Sequence, residues 1–193
     1  MKQAAVKFTN YKSSLGFWIY LMTDCLIFAS LFATYIVLLP GTAGGPGPKD
    51  IFQMPLVLTE TLILLTSSFT VGLAMIALSK KNIKQAVWWL AATYILGVAF
   101  LTIELFEFGV LVSEGHSWQA SAFLSAFFVL VGTHGLHILI GLIWLLVMVI
   151  VLLRRGLNSK SRRQLGLFAM YWHFLDLVWI FIFTIVYLMG VAS

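Results

Sequence analysis

Residues 119–153 read QASAFLSAFFVLVGTHGLHILIGLIWLLVMVIVLL, a run that contains no aspartate, glutamate, lysine or arginine. A helix of about 20 apolar residues crosses the hydrocarbon core of a bilayer, so this run is longer than the membrane requires. Such a length is accommodated by tilting or by extending past the interface. The run therefore predicts a transmembrane helix.

Four further apolar runs accompany it, over residues 15–39, 55–78, 86–112 and 165–190. The chain is 61% hydrophobic and 10% charged, whereas ordinary soluble domains are about 25% charged. The runs lack the alternation of polar and apolar residues that barrel strands show. These features predict an all-α integral membrane protein, in which residues 1–193 form a single membrane domain built as a bundle of five transmembrane helices.

The basic residues predict the orientation. If the N-terminus is cytoplasmic, eleven of the twelve lysine and arginine residues lie on the cytoplasmic side and only Lys49 lies outside, as the positive-inside rule expects. With five spans, the C-terminus is then periplasmic. Because these residues occupy short segments between apolar runs, the net charge of +5 does not indicate nucleic-acid binding. The cytoplasmic set is Lys2, Lys7, Lys12, Lys80, Lys81, Lys84, Arg154, Arg155, Lys160, Arg162 and Arg163.

Ionisable residues inside the runs are the candidates for function. Three pairs are spaced three residues apart, which places both members on one face of a helix. A charged group at the centre of a bilayer costs about 2.5–3.5 kcal/mol on insertion scales, so we expect a buried polar network with a structural or proton-related role. Its predicted members are Asp24, Glu60, Glu104, Glu107, His134, His137, His173 and Asp176.

One hypothesis follows from the charges of these groups. A histidine beside a carboxylate lowers the cost of burying either group, so we expect Glu104 and Glu107 to meet His134 or His137 across two helices. A metal site fits less well, because di-iron bundles use Glu-x-x-His pairs that the chain lacks. The alternatives are haem ligation by one of the three histidines and a proton relay through Asp24 or Glu60. The hydroxyl groups of residues 67, 68 and 70 are expected to bond back to their own helix backbone.

Several segments resemble subunit III of haem-copper terminal oxidases. They are FWIYLMTDCLIFASLFATY (residues 17–35), IELFEF (103–108), SAFFVLVGTHGLHILIGLIW (125–144) and YWHFLDLVWIFIFTIVYLMG (171–190). The resemblance extends from residue 16 to residue 190. Within the family, the loop GTAGGPGPKDIF (41–52) and the five spans are similar to the quinol-oxidising branch, of the cytochrome o ubiquinol oxidase type.

The resemblance implies an accessory subunit of a proton-pumping quinol oxidase in the bacterial inner membrane. Haem and copper are then expected in the catalytic subunit, which is the partner together with other oxidase subunits, and none is expected on this chain. Catalytic and metal-ligating residues are likewise not expected here. Asp24 falls where many relatives have a buried glutamate associated with proton uptake. Bound phospholipid is also implied, and the basic residues suited to contact lipid headgroups are Arg154, Arg155, Arg162 and Arg163.

Three other interpretations remain open from the sequence. The chain could be subunit III of a cytochrome c oxidase, which differs in the electron donor. It could be a stand-alone proton-coupled transporter, which would be active when reconstituted alone. It could be a membrane metalloenzyme, which would carry stoichiometric metal when purified.

Overall fold

Long helices account for nearly the whole chain. The structure is a computed structural model that describes residues 2–192, and within them the side chains of residues 14–49 and 51–191, so the side chains of Lys2, Lys7 and Lys12 lie outside the described residues. Over residues 2–192 it contains no strand. The helices are α1 (Lys2–Leu38), α2 (Pro48–Ile51), α3 (Met54–Ser79), α4 (Ile83–Ser113), α5 (Ala122–Arg155), α6 (Ser159–Ile182) and α7 (Met189–Ala192).

Five helices are long and apolar enough to cross a membrane. The spans are Ser14–Leu38, Met54–Ser79, Ile83–Ser113, Ala122–Arg155 and Ser159–Val191. This confirms the prediction of an all-helical membrane protein with five spans. The turns at residues 80–82 and 156–158 share one end of the bundle, here called the basic end, and the loops at residues 39–53 and 114–121 share the other, here called the loop end.

Polar caps rather than apolar content set the observed boundaries. The Ser121 side chain accepts a hydrogen bond from the Leu124 N–H, so α5 begins after the predicted residue 119. The Asn158 side chain accepts from the Ser161 N–H, so α6 begins six residues before the predicted residue 165. Such caps satisfy N–H groups that the first turn of a helix leaves free. The short helix α2 inside the loop was not predicted.

Helices α3, α4, α5 and α6 pack around one core, and α1 packs on α5 and α6. The side chain of Trp172 in α6 packs between three other helices of this core. Its indole contacts the positions where Gly97 of α4 and Gly141 of α5 lack side chains, and its Nε1–H donates to Ser67 Oγ of α3 at 2.7 Å. Because lipid tails are as apolar as leucine, close packing at small residues and interhelical hydrogen bonds hold such helices together.

The backbone of the last span departs from α-helical geometry near the loop end. Residues Phe183–Leu188 form a π-helical turn between α6 and α7, and the Tyr35 hydroxyl donates to the Val186 carbonyl at 3.4 Å. Tyr187 of this turn is fully buried and packs against Phe52 and Phe127. Wide turns of this kind frequently accompany functional sites. Here the turn connects α1, the loop end and the aromatic core.

Candidate functional site

Asp24 and His137 form an ion-pair contact between α1 and α5. The distance between His137 Nε2 and Asp24 Oδ2 is 3.9 Å, and the side chains are 15% and 7% exposed. Tyr20, one turn before Asp24, lies close enough to interact electrostatically with the same carboxyl group. The sequence hypothesis placed Glu104 and Glu107 beside His134 or His137. The structure instead places His137 beside Asp24.

The second nitrogen of His137 fixes its tautomer. His137 Nδ1 lies 2.7 Å from the carbonyl oxygen of Thr133. A carbonyl only accepts, so Nδ1 carries a hydrogen and a neutral ring presents the bare Nε2 lone pair to Asp24. A hydrogen bond between the two groups then requires one further proton, carried either by the carboxyl group or by the ring.

Three glutamates gather near the loop end. The Glu104 carboxyl group lies within electrostatic range of those of Glu60 and Glu107, and all three side chains are buried. None of their oxygens has a hydrogen-bond partner among the described residues. Ionising all three would collect like charges in a medium of low polarity, which is costly. We call this set the carboxyl cluster.

The carboxyl cluster approaches the surface through Glu107. This residue lines a cleft of about 130 Å³ at the loop end, together with Ile51, Gln53, Leu56, Phe106, Val110, Leu111 and Glu114. Glu104 instead packs against α5, where its Oε1 atom lies 2.7 Å from the position that a Cβ atom on Gly135 would occupy. The close approach of the two helices thus depends on glycine at that position.

His134 adjoins this region without joining it by a hydrogen bond. Its ring is fully buried, with centroids 5.3 Å from the indole of Trp179 and 6.0 Å from the ring of Phe100. Neither ring nitrogen has a partner among the side chains and backbone that the structure describes. The predicted contact between His134 and a glutamate is therefore replaced by aromatic packing.

His173 and Asp176 meet Ser68 of α3. Ser68 Oγ lies 2.6 Å from His173 Nδ1, and Asp176, one turn after His173, is close enough to both groups to interact with them electrostatically. Asp176 is half-buried and His173 is exposed on the outer surface of the chain. The structure thus differs from the prediction of a wholly buried network at His173, because α6 turns this residue outward.

Hydroxyl groups missed by the sequence interpretation connect the helices. Ser67 accepts from Trp172, and Thr61 Oγ1 accepts from Trp179 Nε1 at 3.1 Å. Of the three hydroxyls expected to bond only within α3, just Thr70 donates to its own backbone, and it also contacts Thr93. The pairing of serine and threonine with tryptophan across helices could have been suspected, because a buried indole N–H needs an acceptor.

The arrangement of the ionisable side chains does not favour a metal site. Among the described residues, no group of three or more histidine, cysteine, aspartate and glutamate side chains is arranged to hold a metal ion. Instead, Asp24 lies 3.9 Å from His137 and His173 contacts the Ser68 hydroxyl group. Asp24 Oδ2 and Asp176 Oδ1 have no hydrogen-bond partner among the described residues.

The basic end carries the residues predicted to face lipid headgroups. Arg154, Arg155 and Arg162 are exposed, and Arg163 is half-buried. Arg162 lines a groove of about 420 Å³ with Lys81, Ile83, Leu157, Asn158 and Ser159. A second groove of about 620 Å³ combines Lys84 with Trp88 and Trp89, side chains that favour the membrane interface.

Comparison with known proteins identifies the family. The family model described as cytochrome c oxidase subunit III matches residues 5–191. Cytochrome bo(3) ubiquinol oxidase subunit 3 of Pseudomonas aeruginosa is 54% identical over 175 residues, covering 91% of this chain and 84% of the relative. Cytochrome c oxidase subunit 3 of Bacillus sp. (strain PS3) is 47% identical and covers 93% and 86%. Quinol oxidase subunit 3 of Bacillus spizizenii is 47% identical and covers 96% and 91%. The chain is therefore a multi-pass membrane protein that belongs to the family of subunit III of the haem-copper oxidases.

Proposed function

We propose that this chain is an accessory, non-redox subunit of a proton-pumping quinol oxidase, which couples quinol oxidation to the reduction of oxygen to water. Relatives named ubiquinol oxidase subunit 3 at 43–54% identity support the quinol branch. The partners are the catalytic subunit, which holds haem and copper, and the other oxidase subunits. The positive-inside rule supports an inner-membrane orientation with a cytoplasmic N-terminus and a periplasmic C-terminus.

The Asp24–His137 contact is the observation that carries the proposal. The pair lies near the middle of its spans, and the geometry of His137 leaves room for one shared proton. Intramembrane acids and histidines of this kind mark proton pathways. The pair supports proton uptake by the catalytic subunit, since it can accept a proton at one moment and release it at the next.

A second part of the role is structural. Exposed apolar side chains cover the outer faces of α1 and α5, and the grooves at the basic end combine cations with apolar walls. Anionic phospholipids fit such grooves, because lysine and arginine attract their headgroups while the walls accept acyl chains. The subunit thus supports assembly of the complex and keeps lipid ordered beside the catalytic subunit.

The test uses the intact oxidase with Asp24→Asn in this subunit. The amide cannot share a proton with His137, so proton uptake or durability under turnover should fall while the haem absorption spectrum stays that of the natural complex. Asp24→Glu is the matched control, because it keeps the carboxyl group and should retain activity. A shifted or bleached haem spectrum in Asp24→Asn, or haem bound to this chain purified alone, would overturn the proposal.

Cytochrome c is a second candidate for the electron donor of the complex. A relative that is 47% identical carries the name cytochrome c oxidase subunit 3, so a cytochrome c oxidase is the alternative assembly. Steady-state oxygen consumption by the purified complex with a quinol or with reduced cytochrome c distinguishes the two. Activity with quinol supports the first assignment, and activity with cytochrome c alone supports the second.

A further inference from the structure

The carboxyl cluster and the cleft at Glu107 form a site that the proposed function does not use. Glu60 of α3 and Glu104 and Glu107 of α4 are 0%, 2% and 6% exposed. None of their six carboxyl oxygens has a hydrogen-bond partner among the described residues. Buried polar groups in proteins are nearly always paired, either with protein groups or with ordered water. The six oxygens therefore need hydrogen atoms that the neighbouring side chains do not supply.

The cleft gives water a way to the cluster. Its volume is about 130 Å³, and Glu107 lines it together with the polar residues Gln53 and Glu114. Gln53 and Glu114 are exposed whereas Glu107 is buried, so the cleft leads inward from the surface of the loop end. A water molecule takes ~30 Å³ in the liquid and needs two to four polar partners. The cleft has both the room and the polar groups for several water molecules.

The cluster lies close to one end of the bundle. Glu60 lies six residues after the start of α3, and Glu107 lies six residues before the end of α4. Each is thus ~9 Å from the loop end at the helical rise of 1.5 Å per residue. Asp24 lies 14 residues before the end of α1, which is ~21 Å on the same measure. The cluster is therefore nearer to the water at the loop end than the Asp24–His137 pair is.

The groups around the cluster do not neutralise it. The three carboxyl groups lie within electrostatic range of one another, and no lysine, arginine or histidine of the described residues forms an ion pair with them. Tyr187 of the π-helical turn also lies in range, and its hydroxyl group carries no positive charge in either protonation state. From α5, Gly135 faces Glu104, and the adjacent His134 is not hydrogen-bonded to the cluster.

This surrounding indicates the class of ligand. Ionising all three carboxyl groups would collect like charges in a medium of low polarity. A bound proton removes one of these charges and gives an oxygen atom the hydrogen that it lacks. Among the described residues, the ionisable side chains are not arranged to hold a metal ion, which leaves water and protons as the ligands that suit the site.

We infer that the carboxyl cluster is a hydrated, internal proton-binding site that exchanges protons with the water at the loop end through the cleft at Glu107. Uptake moves one proton from a hydronium ion in the cleft to a carboxylate oxygen, release returns it to water, and no electron moves. The inference goes beyond the proposed function, because it concerns carboxyl groups of this chain alone and holds for either electron donor.

The experiment compares infrared spectra of the intact oxidase with natural Glu104 and with Glu104→Gln. A protonated carboxyl group has a C=O stretching band that is distinct from those of carboxylates and amides, and the band moves to lower frequency when deuterium replaces the hydrogen. The variant should lose such a band, and D₂O should shift the same band in the natural complex. Glu114→Gln is the matched control, because Glu114 is exposed at the end of the same helix and should lose no such band.

Two results of this comparison would overturn the inference. One is that Glu60→Gln, Glu104→Gln and Glu107→Gln all leave the protonated-carboxyl band unchanged, which would show that the cluster binds no proton. The other is a band that D₂O does not shift, which would show that the bound proton does not exchange with water. Oxygen consumption by the same samples reports on the proposed function separately.

The route through the cleft has its own variants. Val110→Phe and Leu56→Phe add bulk to two walls of the cleft and should slow the D₂O shift of the band severalfold. Val112→Phe is the matched control, because Val112 lies on the same helix as Val110, is 43% exposed and does not line the cleft. Equal exchange rates in all three variants would overturn the route through the cleft.

Discussion

Replacing Gly141 by alanine should destabilise the bundle, because the added methyl group collides with two rings that are held in place. A Cβ atom at residue 141 would lie 3.0 Å from Trp172 Cζ3 and 3.1 Å from Tyr171 Cε1. Both side chains are buried, and each is tethered by a hydrogen bond, from Trp172 to Ser67 and from Tyr171 to the His137 carbonyl at 2.9 Å. Neither ring can retreat without weakening its hydrogen bond.

The expected loss follows from that geometry. Overpacking a well-packed core costs about 1–3 kcal/mol, which lowers the equilibrium constant for folding roughly 5- to 140-fold at 1.4 kcal/mol per factor of ten. Gly132→Ala is the matched control on the same helix, because its nearest neighbour, Phe108 Cε2, lies at an ordinary 3.7 Å. Both changes gain the same helix propensity from replacing glycine, so their difference isolates the collision.

The assay is unfolding in mixed micelles by increasing fractions of a denaturing detergent, followed by tryptophan fluorescence. Gly141→Ala should unfold at a lower denaturing fraction than the natural chain, and Gly132→Ala should match or exceed the natural chain. Equal stability of the two variants would refute the reasoning, since it would show that the rings of Trp172 and Tyr171 yield at no cost.

Two further changes test the polar contacts. Ser67→Ala leaves the Trp172 N–H buried without its acceptor and should cost about 1–3 kcal/mol of unfolding free energy. The double variant Ser67→Ala, Trp172→Phe should lose less than the sum of the two single losses. Additive losses in the same unfolding assay would contradict the hydrogen bond. Glu104→Gln removes one ionisable group from the crowded cluster with Glu60 and Glu107 while keeping the side-chain shape, so it should leave stability unchanged or raise it. A loss comparable to that of Ser67→Ala would show that the carboxyl group makes a favourable contact.

The number and nature of the helices could be predicted because they follow from apolar length alone. Residues 119–153 are too long and too apolar for any other structure in a membrane protein. The ends could not be predicted from the same property, since Ser121 and Asn158 begin their helices by accepting backbone N–H bonds. Hydropathy averages over such single residues, so boundaries shifted by several positions.

The polar sites were predictable within a helix and not between helices. The spacing of His173 and Asp176 places both on one side of α6, because a separation of three residues is local geometry. The identity of their neighbour, Ser68, depends on how α3 and α6 align, which is set by the fit of Trp172 against Gly97 and Gly141. For the same reason, the sequence hypothesis placed His134 or His137 beside the glutamates of α4, whereas the structure brings Asp24 of α1 beside His137.

The position of Trp172 in the last span has a consequence for the order in which the bundle assembles. It belongs to the last of the five spans to leave the ribosome, yet it contacts the second, third and fourth through Ser67, Gly97 and Gly141. The earlier spans can enter the bilayer one by one, but the space between them stays unfilled until the indole arrives. The core can therefore close only after residue 172 has been synthesised and the last span has joined the other four.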